Sequence, residues 1–490
     1  MATTDTTDMS RKVRSAVIWR SGSQIVAQAI AWLSTFLVIR LLAPEDYGLF
    51  AMTQVMLVFL NTMNGYGIAS ALIREQDVSD HRLRQALGLL LMLNGALGAI
   101  QFLAAPLVAS YFAQPMVADL LRVQAVMYLL TPWLALPHAM LSRKMDFRRP
   151  AQIRLLASLA GAGTALACAL GGAGVWTLVA APMALFLTEA VGMTIAARAP
   201  LRPNFDFTGL GGIAGFGGLM TATQFFWFVQ SQADVIIAGR VLDVRSLGIY
   251  TTGLFLAQLL ATKFVPPVNE VAYAAYARMQ GAGGEALLAT VRLVLLVALP
   301  AYAGMAVIAD PLVLVLLGKQ WTGIAAILPI LSLAMAMLTL QILFAPATNA
   351  LGKPGIALKV SMIGSVAMPL VFLAAIPFGL TGFAWAWVGG VAVMLAVTIA
   401  LSVRTLGLSL RKLAGAVLPP GLAAGAMAAG VAAIAQVLPP MPAMGQLGLL
   451  IPLGAAFYGA VLWLIARDRL VEAYRFAVGT AAGSAAPASG

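Results

Sequence analysis

The sequence predicts an all-α polytopic membrane protein of fourteen transmembrane helices, arranged as two pseudo-symmetric six-helix lobes plus two C-terminal helices. Three observations carry this expectation. The chain has 490 residues, is 61% hydrophobic and 10% charged, and has a mean hydropathy of +0.92, outside the make-up of a water-soluble domain. Apolar runs recur from Ala16 to Ala466, each about long enough to cross a roughly 30 Å hydrocarbon core at about 1.5 Å per residue. Finally, a pattern in the first two hundred residues returns in the second.

The runs are read as helices because a spanning segment must satisfy its own backbone hydrogen bonds, and they are too long and uniformly apolar for barrel strands. In order they cover 16–41, 47–71, 86–112, 117–142, 152–171, 174–197, 210–238, 247–276, 287–309, 322–350, 356–377, 380–403, 414–437 and 443–466. Arg11, Lys12 and Arg14 precede the first run, which has no clear small-residue cleavage site and is expected to stay attached. Between the runs the cations alternate. One side holds 23 lysines and arginines, including Arg74, Arg82, Arg84, Arg143, Lys144, Arg148, Arg149, Arg198 and Arg202. The other holds five: Arg40, Arg122, Arg240, Arg245 and Lys319. The positive-inside rule therefore places both termini in the cytoplasm.

Composition also excludes several functions. Cys168 is the only cysteine, so no intramolecular disulfide or cysteine metal cluster can form, and His81 and His138 are too few for a histidine-rich site. The formal charge of +12 tracks membrane sidedness and not nucleic acid. The longest polar connection is about 15 residues, too short to fold a catalytic domain outside the membrane. No enzyme activity and no cofactor are expected.

The repeat is legible in "VIRLLAPEDYGLF", Val38 to Phe50, and "IAGRVLDVRSLGIY", Ile237 to Tyr250. Arg40 and Gly48 match Arg240 and Gly248, and Gln24 matches Gln224, all at an offset of 200. "AAPLVASYF" near Pro106 and "ADPLVLVLL" near Pro311 continue the series with a slightly larger offset. The expected organisation is a first lobe over 1–205, a second over 206–405, two additional helices over 406–470 and a cytoplasmic, disordered tail over 471–490.

The stretches "VIRLLAPEDYGLFAM", "GYGIASALIREQD", "LPHAMLSRKMDFRRPAQIRL" and "LVLLGKQWTGIAAILPILSLA" occur in the order and spacing of the polysaccharide transporter family, which the chain resembles from about Arg14 to Arg404. The likeness is to its Wzx-type, colanic-acid-exporter-like members, within the multidrug/oligosaccharidyl-lipid/polysaccharide exporter superfamily. The resemblance implies two six-helix lobes around a central cavity, usually with two further helices. It also implies a substrate: an undecaprenyl-pyrophosphate-linked oligosaccharide, flipped from the cytoplasmic to the periplasmic leaflet of the bacterial inner membrane. Membrane lipids are expected contacts, and a polysaccharide polymerase and chain-length regulator are candidate partners. A peptidoglycan-precursor flippase, a cation-coupled drug exporter, and a polytopic polymerase or ligase are the alternatives.

Such a substrate needs cations in the cavity. Lys263, near the middle of its run in "LLATKFVPPVNE", is the first candidate for the pyrophosphate. The alternative is an ion pair with Glu270, seven residues on, if Pro266 and Pro267 only kink the helix. The two prolines are the expected hinge. Arg20 is a second candidate, balanced against simple snorkelling to the interface. Gln24, Gln28 and Trp32 extend its face at four-residue spacing; Gln54, Asn61 and Asn64 share a face on the second run, and Gln224, Trp227 and Gln230 on the seventh. These stripes could contact sugar or glue helices together. Asp234 either balances charge or couples transport to an ion, or pairs with Arg240 or Arg245. Glu189 has no partner that the sequence identifies. Trp133, Trp176, Trp385 and Trp387 read as interface or packing residues.

Overall fold

The structure is a computed structural model that describes residues 28–63, 79–144, 146, 148–199, 202–206, 217–278 and 283–483, with side chains described up to 62 in the first of these, from 224 in 217–278 and up to 465 at the end. The described parts of the expected runs are helical apart from short turns, as at Ala125, Thr131, Phe264, Ile308 and Leu343, and no strand occurs among the described residues. Ten helical stretches among them are long and apolar enough to cross a membrane; one, Gly355–Ser402, has 48 residues. At about 1.5 Å per residue that stretch is more than twice the hydrocarbon thickness. Indeed it is two helices, Gly355–Ala375 and Gly379–Ser402, divided at Gly379, whose φ of 58° needs no Cβ. The outer surface is apolar, as lipid requires: Leu103, Leu107, Ile195 and Leu464 are each more than two-thirds exposed.

The chain divides into two compact units, one of residues 1–228 with 239–248 and one of 229–238 with 249–490. In the first, the Arg148–Leu170 helix packs along Trp176–Ala197 through small residues. Gly161 faces Leu185, and Gly192 sits so close to Ile153 that a Cβ there would collide with its side chain. Gly172 and Gly174, at φ 73° and 55°, make the tight turn between these helices. Leu83, Leu87 and Leu90 of the Asp80–Phe112 helix bury against Leu136, and Leu120 against Val175 and Val179.

In the second unit the Gly323–Ile342 helix and Gly355–Ala375 both pack on Gly379–Ser402, with Phe372 and Phe383 stacked at 6.0 Å. The two C-terminal helices, Leu410–Val437 and Ala443–Gly483, belong to this unit. Met427, Val431, Leu447 and Leu450 bury against Ile308, and Tyr458 donates to the Leu296 carbonyl at 2.8 Å.

Candidate functional site

The matched motifs of the two repeat copies meet within the first unit. The Pro44–Met63 helix starts after Ala43 and the Val244–Lys263 helix after Asp243. Each start is capped by one half of a capping box. Asp46 Oδ2 accepts from Ala43 N at 3.0 Å, whereas Asp243 Oδ1 accepts from Ser246 N at 2.9 Å. A Cβ on Gly48 would collide with the Val244 carbonyl, and one on Gly248 with the Pro44 carbonyl. Only glycine lets the backbones approach so closely. Across the contact Arg245 Nη1 donates to Glu45 Oε1 at 2.9 Å. Both carboxyls lie outside the expected spans. The Ser246 hydrogen bonds hold Asp243 below the usual carboxylate range. For Glu45, partial burial pushes upward, but the helix N–H and the Arg245 guanidinium outweigh it and hold the group low.

Within the second unit a buried polar cluster forms around Asp234. This residue is 2% exposed; Tyr250 donates to its Oδ2 at 2.9 Å, and Trp387 Nε1 donates to the Tyr250 hydroxyl at 2.6 Å. Its Oδ1 has no hydrogen-bond partner among the described residues. The expected pairing with Arg240 or Arg245 is not made: Arg245 is committed to Glu45, and Asp234 forms no ion pair among the described residues. A carboxylate buried in this way depends on donors, or on a proton or cation, to offset its lost hydration.

The "LLATKFVPPVNE" stretch breaks a helix. Val244–Lys263 ends at the lysine, and Val265–Arg278 begins after a single intervening residue, Phe264, with Pro266 and Pro267 in its first turn, where their missing N–H groups cost least. Lys263 and Glu270 are both exposed and form no ion pair with each other among the described residues. Asn269 instead donates to the Ile342 carbonyl at 3.3 Å. That carbonyl lacks its helical partner because residue 346 is proline. The first unit uses the same device: Thr194 donates to the Trp133 carbonyl at 3.2 Å, which Pro137 leaves free.

The polar stripes are partly visible. Trp32, on the Gln28–Leu41 helix, is 43% exposed and Trp227 is 47% exposed; Asn61 is also exposed, whereas Gln28, Gln54 and Gln224 are half-buried. Gln230 lies against Gly364 with its Oε1 buried and unpaired. Arg20, Gln24 and Asn64 lie outside the described residues. Glu189 has its partner in Arg154, whose Nε is 3.1 Å away.

Sequence reasoning missed Tyr250 as a partner of Asp234, although the two lie at similar distances from the turn between their helices, as facing residues of a helical hairpin do. Trp387, read as packing, also serves as a donor. It is 137 residues from Tyr250, and no local signal joins them.

Comparison with known proteins gives a consistent picture. Residues 37–326 match the family described as polysaccharide biosynthesis protein. The succinoglycan biosynthesis transport protein ExoT of Rhizobium meliloti (strain 1021) is 25% identical over 73% of both chains. The lipopolysaccharide biosynthesis protein WzxC of Escherichia coli (strain K12) is 22% identical over 66% of this chain and 67% of its own, and the teichuronic acid biosynthesis protein TuaB of Bacillus subtilis (strain 168) is 21% identical over 66% and 68%. Among solved structures, the lipid II flippase MurJ in an inward closed conformation superposes with a TM-score of 0.76 over 92% of this chain and 100% of that one at 12% identity, a likeness of fold.

Proposed function

The chain belongs to the polysaccharide biosynthesis protein family, and we propose that it is a flippase that moves undecaprenyl-pyrophosphate-linked oligosaccharide repeat units from the cytoplasmic to the periplasmic leaflet by alternating access. One observation carries the reading. The relatives are named for three different polymers, succinoglycan, lipopolysaccharide and teichuronic acid, on a polytopic fold shared with a lipid flippase. A step common to such different products acts on the lipid carrier and its diphosphate more than on one sugar. Lys263, exposed at a helix break with no carboxylate paired to it among the described residues, is the proposed diphosphate contact. Arg20 is proposed beside it, and the stripe residues as sugar contacts. Asp234, which accepts from Tyr250, itself an acceptor from Trp387, is the proposed coupling group.

The test is the leaflet distribution of lipid-linked repeat units in cells lacking the protein. Complete units accumulating in the cytoplasmic leaflet support a flippase. Single units already on the periplasmic side, unpolymerised, would identify a polymerase and overturn the reading. Asp234→Asn should slow transport at least tenfold while leaving the amount of folded protein unchanged; transport at the parental rate would remove Asp234 from the mechanism.

A further inference from the structure

A second cationic site lies in the first unit and shares no residue with those assigned above. Asp80, His81 and Arg84, from the start of the Asp80–Phe112 helix, and Arg202, Pro203 and Asn204, from a later loop, enclose a cavity of about 520 Å³. The loop is built onto the helix. Asn204 N donates to the Arg84 carbonyl at 2.9 Å, and Gln85, 2% exposed, donates through Nε2 to the Asp206 carbonyl at 2.7 Å. Asn204 Nδ2 lies 3.5 Å from His81 Nδ1. Residue 88 must be glycine, because a Cβ there would collide with the Asn204 carbonyl. These constraints fix Arg202 and Arg84 on one cavity although they are more than a hundred residues apart in sequence.

The cavity is not merely a helix end, since the Ser79 side chain already accepts from Arg82 N. The cavity is open to its surroundings; its charged walls are two guanidiniums and one carboxylate, and Asp80, Arg84 and Arg202 are exposed. Guanidiniums favour phosphate oxygens, which they grip through paired N–H donors. Asp80 opposes a bare anion but suits a ligand that carries an ammonium beside its phosphate. Phe205, 56% exposed, follows directly in the same loop and supplies an apolar neighbour. All the cations involved belong to the side that the arginine distribution assigns to the cytoplasm.

We propose that this cavity holds the head group of a membrane phospholipid bearing both a phosphate and an ammonium, with Arg84 and Arg202 on the phosphate and Asp80 on the ammonium. The site is independent of what the chain transports. The test is native mass spectrometry of the full-length protein in detergent, titrated with phosphatidylethanolamine, phosphatidylglycerol and undecaprenyl diphosphate. The unmodified protein should bind phosphatidylethanolamine in preference to phosphatidylglycerol, with undecaprenyl diphosphate as the probe of the separate transport site. Arg84→Gln with Arg202→Gln should weaken that binding at least tenfold, and Arg202→Gln alone, at an exposed loop position, by several-fold. Asp80→Asn should erase the preference over phosphatidylglycerol while retaining phosphate binding. Unchanged affinity in the double variant would overturn the site. Tighter binding of phosphatidylglycerol than of phosphatidylethanolamine by the unmodified protein, or a loss of undecaprenyl diphosphate binding in the double variant equal to its loss of phosphatidylethanolamine, would overturn the ammonium assignment and with it the proposal.

Discussion

The junction of segments 43–48 and 243–248 and the broken helix at 263–270 are both charged and both close to helix ends, yet they are built in opposite ways. At the junction a glycine recurs in both copies of the repeat, Gly48 and Gly248, the two bring backbone against backbone, and Glu45 and Arg245 are paired. At the break nothing recurs. Lys263 stands where the first copy has Met63, Glu270 where it has Ser70, and Pro266 where it has Tyr66. Its charges are exposed and unpaired with each other. The repeated glycines thus hold a close backbone contact, whereas the break belongs to one copy alone.

The sharpest way to break this contrast is at the glycines. Gly248→Ala puts a methyl against the Pro44 carbonyl and the Gly48 nitrogen, backbone atoms that have no rotamer to yield. It should cost about 3 kcal/mol, at the upper end of ordinary overpacking. Thermal unfolding of the purified protein in detergent would show this, and a melting temperature within a degree of the parent would refute it. Lys263→Ala is predicted to do the reverse, abolishing export with the amount and melting of folded protein intact. Export at the normal rate would show that the asymmetry has no role in transport. Asn269→Ala should lie between, costing about 1–2 kcal/mol because the Ile342 carbonyl loses its donor. Thermal unfolding reads this too, and an unchanged melting temperature would show that water or a neighbour replaces the amide.

The smallest effect is expected at Glu45→Gln, within about 1 kcal/mol because both partners are roughly half exposed. The pH dependence has a definite sign. Glu45 and Asp243 are held low in the folded protein, so their contribution is present above the ordinary carboxylate range and is lost as pH falls through their lowered values. Unfolding measured from neutral to acid pH should show a shallower loss in Asp243→Asn than in the parent. An equal loss would mean that other carboxyls dominate.

Much of the fold was legible because each helix must satisfy its own backbone in lipid, so length and hydropathy suffice to find it. The value of Gly48 and Gly248 was legible as a repeat, although not their contact, since an offset of 200 says nothing of proximity. The Asp234 cluster was half legible: the carboxylate was conspicuous, but its donor Tyr250 and the Trp387 that donates to Tyr250 come from separate helices that only packing brings together. Lys263 with Glu270 shows the opposite error. Seven-residue spacing places two side chains on one face only while the helix continues, and this helix stops between them.

The junction carries the geometry of a self-complementary interface. Gly48 meets residue 244 while Gly248 meets residue 44, the exchange of partners that a two-fold axis imposes on identical subunits. A chain of half this length could therefore have made the contact with its own copy, except at one place. Residue 45 would then face an arrangement with the same charge on both sides. With glutamate in one copy and arginine in the other, the joined chain has an attraction that a homodimer of either half could not encode, and its two copies can no longer be interchanged.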